Sequence, residues 1–129
     1  MTQPVRVVMN AESDLERYRR VRRAMPDLAK GLSPEDLAAQ SMTDASPGKW
    51  HLGHVSWFFE ALLLAARPGY QPVDPRQQLL FNSYYDALGE RIERAARGLM
   101  TRPSLAEVMA YRAEIDLRME ALLIADLKT

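Results

Sequence analysis

The sequence predicts an all-α helical bundle. Three observations carry this: apolar residues recur at three- and four-residue spacing in several long segments, serine and proline start signals precede those segments, and no run alternates with period two over a useful length. Residues 1–10 read as a flexible tail, which Asn10 or Ser13 ends by capping a helix. Leu15, Tyr18, Val21, Met25 and Leu28 then form one helical face. Pro26 removes a backbone donor and is expected to kink or end this helix near Met25. Gly31 supplies the stop. Ser33-Pro34-Glu35-Asp36 is an N-cap with proline at the first helical position, starting a short helix to about Gln40.

Ser46-Pro47 repeats that signal and opens the central helix, over 47–66. It is apolar nearly all round, so several neighbours are expected to pack on it. Residues 67–75 form a proline-punctuated loop. A short helix is expected over 76–88, ended by Gly89, and a long irregular loop over 90–103. Ser104 and Glu107 make a capping box. The helix it starts runs to about Leu127, with Leu105, Val108, Tyr111, Ile115, Met119 and Leu122 facing inward.

A chain of 129 residues with 47% apolar and 26% charged composition is one ordinary globular domain. Residues 11–129 make that domain. Seventeen basic and seventeen acidic residues cancel, so no field steers it to nucleic acid or an anionic membrane. Arg17, Arg19, Arg20, Arg22 and Arg23 are interleaved with acidic residues and read as a solvated helix face. The longest apolar run, Ala61 to Ala66, falls short of the roughly 20 residues that span a bilayer. No signal peptide is seen, and cysteine is absent. A soluble, cytoplasmic protein is expected.

The chemistry concentrates in residues 46–60. Both histidines, both tryptophans and two of the three phenylalanines lie there. His54 shares a helical face with Trp50 and Trp57, where a neutral imidazole ligates a metal or bonds a buried carbonyl. His51 is rotated by about 60° from it and reads as a supporting or surface residue. Glu60 is either an exposed helix-end residue or a buried partner. Arg91, Arg94 and Arg97 recur at a spacing of three; guanidinium forks match carboxylates, and loop solvation is the plainer reading. Tyr84 and Tyr85 flank a pocket or pack. There is no nucleophile elbow, P-loop, dinucleotide turn or carboxylate dyad, and no catalytic residue is assigned.

Residues Ser46 to Glu60, with Trp50-His51-Leu52-Gly53-His54 at their centre, resemble the start of the N-terminal DinB-like domain of EgtB-type enzymes. These are the non-haem iron sulfoxide synthases of ergothioneine biosynthesis. Matches continue in order through Pro68-Gly69-Tyr70, Asp74-Pro75-Arg76, Leu80 to Gly89, Arg91, Arg94, Arg97-Gly98-Leu99, Arg102-Pro103-Ser104, Glu107-Val108 and Tyr111-Arg112, covering about residues 11–127. The resemblance implies a DinB-like four-helix bundle in which His54 is the first of three Fe(II)-ligating histidines. The other two come from a His-x-x-x-His pair on a further helix, which this sequence does not contain. Three main helices are thus expected, the fourth missing.

The resemblance also implies oxygen-dependent C–S bond formation between hercynine and a thiol. Arg91 and Arg94 match arginines that bind the thiol's carboxylates, and Arg97 follows in the same loop. Where the family has His-Pro after the first arginine, this chain has Ile92-Glu93. That added carboxylate disfavours an anionic donor. A related branch makes the selenium analogue selenoneine from hercynine and a selenosugar. The chain alone is expected to be inactive, to retain iron poorly and to self-associate. The alternative is a stand-alone helical binding or structural module that completes its bundle by dimerising.

Overall fold

A computed structural model describes residues 12–82, 94–99 and 102–127. The expected tail at 1–10 lies outside them. The fold is an all-α bundle of three long helices, α1 (Asp14–Leu28), α3 (Gly48–Phe59) and α5 (Leu105–Leu127). Two short helices, α2 (Pro34–Ala38) and α4 (Arg76–Phe81), are braced against α3. Among the described residues there is no strand, only an isolated bridge between Met42 and Ala45. The core lies between α3 and α5, where Trp57, Leu64, Phe81, Val108, Ile115 and Met119 are almost wholly buried. Each such side chain contributes about 1.5–3 kcal/mol by leaving water.

The helix starts follow their caps. Ser13 Oγ accepts the Glu16 amide (3.1 Å), Ser33 and Asp36 form a reciprocal capping box, and so do Ser104 and Glu107. Each set satisfies amides that the first helical turn leaves without partners.

α1 departs from expectation at Pro26. The helix continues to Leu28 instead of ending near Met25. Proline has no N–H to offer the carbonyl four residues back, which is that of Arg22. Arg112 fills the gap: its Nη2 donates to the Arg22 carbonyl (2.9 Å) and its Nη1 to the Leu52 carbonyl (2.8 Å). One buried guanidinium from α5 thus ties α1 to α3. Burial first, and neighbouring Arg22 second, pull the Arg112 pKa down to about 10.

The inward face of α1 also differs. Tyr18 is buried, but Val21 and Leu28 are exposed, and Arg22 is buried instead of solvated. Arg22 Nε bonds Asp116 (2.7 Å) and Nη2 bonds Ser56 Oγ (2.6 Å). Its guanidinium lies 5.8 Å from the ring centres of both Tyr18 and Phe59. Arg22 thus takes the inward position beside α5, held there by a charge-assisted bond to Asp116.

The central helix is α up to Phe59 and then a π-helical turn, Glu60–Leu64, closed by the Ala65 amide on the Glu60 carbonyl (2.8 Å). It is not packed all round, since Phe58, Leu62 and Leu63 are exposed. Glu60 is fully buried. Tyr111 O–H donates to its Oε1 (2.6 Å), while Tyr70 O–H (2.6 Å) and the Val73 amide (2.9 Å) donate to Oε2. One carboxylate therefore pins the 65–75 loop and α5 to the central helix. The expected irregular loop at 90–103 contains a 3₁₀-helix, Arg94–Leu99. The 76–88 helix is seen as Arg76–Phe81, with 83–88 outside the described residues.

Candidate functional site

Gly53 lies inside α3, where glycine costs about 1 kcal/mol relative to alanine. Its reason is contact: a Cβ there would fall into the ring of Phe81. This lets the end of α4 sit against α3. The last carbonyls of a helix have no partners of their own, and α3 supplies donors to two of them. Trp50 Nε1 donates to the Leu80 carbonyl (2.8 Å), and His54 Nδ1 to the Phe81 carbonyl (2.6 Å). A carbonyl can only accept, so Nδ1 carries the proton. Nε2 keeps its lone pair and bonds no described residue.

The His54 ring is half-buried in an aromatic column. It stacks on Trp50 at 4.5 Å and 11°, and lies 5.6 Å and 22° from Trp57. The Arg97 guanidinium sits 3.7 Å from the Trp50 ring centre. Spacing alone put Trp50, His54 and Trp57 on one face, and the structure brings Arg97 to them from a distant segment. Arg97 is buried, and its Nη1 donates to Ser46 Oγ (2.8 Å). The 3₁₀-helix carrying Arg94 and Arg97 is itself held by Gln40. That side chain donates to the Arg94 carbonyl (2.7 Å) and accepts from the Gly98 amide (2.6 Å).

These parts enclose a cleft of about 410 Å³ lined by Asp44, Ser46, Trp50, His51, His54, Arg94 and Arg97, among others. Arg94 is exposed at it. Arg91 lies outside the described residues, as do Tyr84 and Tyr85. His51 is exposed and meets Trp50 edge-on at 5.2 Å. Burial lowers the pKa of His54, against the opposing pull of the Phe81 carbonyl; His51 and Arg97 lower it further. His51 is lowered too, by partial burial first and by Arg97 second. Both imidazoles are therefore neutral at pH 7, the state in which a ring nitrogen ligates a metal.

Among the described residues, no three His, Cys, Asp or Glu side chains come together to hold a metal. They bring one well-placed imidazole, whereas iron needs several ligands. They do not fit an iron ion by themselves. Phe81, Gln40 and Gly53 escaped the sequence reading of the site. Only Gly53 left a signal, being a glycine inside a strongly helical segment.

No described helix is long and apolar enough to cross a membrane. None of the curated proteins compared matches the chain. The family model described as DinB superfamily matches residues 17–128, nearly the whole bundle. The chain belongs to the DinB superfamily.

Proposed function

We propose that this chain is the iron-site helical domain of an EgtB-like, hercynine-dependent sulfoxide or selenoxide synthase, inactive when alone. The observation that carries this reading is the pairing of motif with geometry. The histidine singled out by the Trp-x-Leu-x-His resemblance is the one whose Nδ1 is tethered to a carbonyl. Such a tether fixes tautomer and ring orientation in metal-ligating histidines. In the enzymes it resembles, iron and dioxygen supply the C–S bond-forming chemistry.

The chain's own residues do the rest. Trp50 and Trp57 hold the His54 ring in place and shield its faces from water. Arg94, exposed at the cleft, and Arg97, stacked on Trp50, put positive charge there, suited to orienting a donor. One imidazole does not complete an iron site.

A graft tests the proposal. Residues 11–127 would replace the matching segment of an EgtB-type enzyme. The chimera is expected to load iron and form product from hercynine, oxygen and a thiol or selenium donor. His54→Ala should abolish both properties. Iron loading indifferent to His54, or a folded, iron-loaded chimera with no product from either donor, overturns the reading.

A further inference from the structure

Arg97 reads from the sequence as a ligand-binding residue, but the fold spends it inside the protein. It is 4% exposed, and its Nη1 donates to Ser46 Oγ (2.8 Å), just before α3. Its guanidinium lies 3.7 Å from the centre of the Trp50 ring. The His54 ring stacks on the same indole at 4.5 Å, within 11° of parallel. Two planar groups cannot sit so close over one face without overlapping, so Arg97 and His54 cover opposite faces of Trp50. Trp57 follows at 5.6 Å from His54.

We infer that Arg97 is a positioning residue for His54, acting through Trp50 and by the flat face of its guanidinium rather than by its charge. The Leu80 carbonyl holds Trp50 at its edge alone (2.8 Å), a bond about which the ring can tilt. The Arg97 plane blocks the tilt away from His54. With the indole fixed, the imidazole stays where Nδ1 meets the Phe81 carbonyl (2.6 Å). A guanidinium suits this task because it stacks on an aromatic face and still donates in its own plane.

The backbone around Arg97 is fixed on both sides. Gln40 holds the carbonyl of Arg94 and the amide of Gly98, at 2.7 and 2.6 Å. A Cβ on Gly98 would come within 2.7 Å of the Gln40 side chain, so glycine there lets this bracket close. Of the two described cleft arginines, Arg94 is the exposed one and is placed to touch a ligand. Arg97 orients His54 whether or not the chain serves a sulfoxide synthase; the use of that orientation in catalysis rests on the function proposed above.

NMR of the full chain with isotope-labelled histidine and tryptophan tests the proposal, and needs neither iron nor product. The His54 Nδ1 proton and the Trp50 Nε1 proton are the reporters, assigned by their absence in His54→Ala and Trp50→Phe. In Arg97→Ala both should exchange with water faster by roughly tenfold or more, the loss of one desolvated cation–π contact, with helicity kept. Arg97→Lys keeps the charge but not the plane, and should not restore slow exchange. Arg94→Ala removes an equal charge from the cleft and should leave both protons as they were. Ser46→Ala, a milder change, should quicken exchange in the same direction, and it decides the matter should Arg97→Ala not fold. Unchanged exchange in the folded Arg97→Ala or Ser46→Ala chain, full protection in Arg97→Lys, or equal loss in Arg94→Ala each overturns the proposal.

Discussion

Arg112 shows how one side chain repairs a defect written elsewhere in the chain. Pro26 withholds a helical hydrogen bond from the Arg22 carbonyl, and the Arg112 guanidinium provides it. Arg112→Met should leave that buried carbonyl unmet and cost roughly 1–3 kcal/mol in chemical denaturation. In a Pro26→Ala background a backbone N–H is restored, and the same substitution should cost less. Equal costs in both backgrounds would show that the two residues are not coupled. Glu60 is a second such point. Its buried carboxylate accepts from two phenols and one amide, those of Tyr111, Tyr70 and Val73. Glu60→Gln turns an acceptor into a donor facing donors. It should lower stability by roughly 1–3 kcal/mol in thermal unfolding, with the 65–75 loop becoming more open to proteolysis.

Elements meet at the candidate site because α3 was left a hollow for α4. Gly53→Ala would place a methyl against Phe81. Overpacking of that kind costs about 1–3 kcal/mol. It should also shift the Phe81 carbonyl away from His54, and the His54 Nδ1 proton should lose its hydrogen-bonded NMR signature. A Gly53→Ala protein with that signal and its Tm unchanged would mean that α4 is not held as described. The 3₁₀-helix depends on Gln40 in the same way. Gln40→Ala removes both of its bonds to that helix and should loosen Arg97 from Trp50. Quenching of tryptophan fluorescence by a small neutral quencher should rise.

The whole molecule responds to alkali through its tyrosines. Tyr70 is pushed up to about 12, by burial first and by its bond to Glu60 second. Tyr18 and Tyr111 are raised as well, chiefly by burial. A raised folded-state pKa means the folded chain resists ionisation that the unfolded chain accepts near pH 10. The associated stability is complete below pH 10 and is lost as pH rises from there toward 12 and beyond. Absorbance at the phenolate band should therefore show these tyrosines ionising late and together with unfolding. A simple titration centred near pH 10, with helicity intact, would contradict the burial of all three. Metal analysis reads the same molecule at its site: the chain alone should carry iron well below one per chain, and tight stoichiometric iron would refute the single-imidazole reading.

Much of this architecture is local and stands in the sequence by itself. The caps at Ser13, Ser33 and Ser104, the inward face of α5 and the common face of Trp50, His54 and Trp57 follow from spacing and hydrogen-bonding needs within a few residues. The ordered motifs also pointed to the superfamily that the chain belongs to. What tertiary structure alone decided is where buried polar groups find their partners. Arg22 reads as one of five surface arginines until Asp116, 94 positions away, is brought beside it. Pro26 reads as a kink or end of the helix until Arg112 reaches the orphaned Arg22 carbonyl. Glu60 stays ambiguous until Tyr70 and Tyr111 converge on it. A buried charge is tolerable only when partners surround it, and those partners come from other helices, at distances along the chain that no local pattern records.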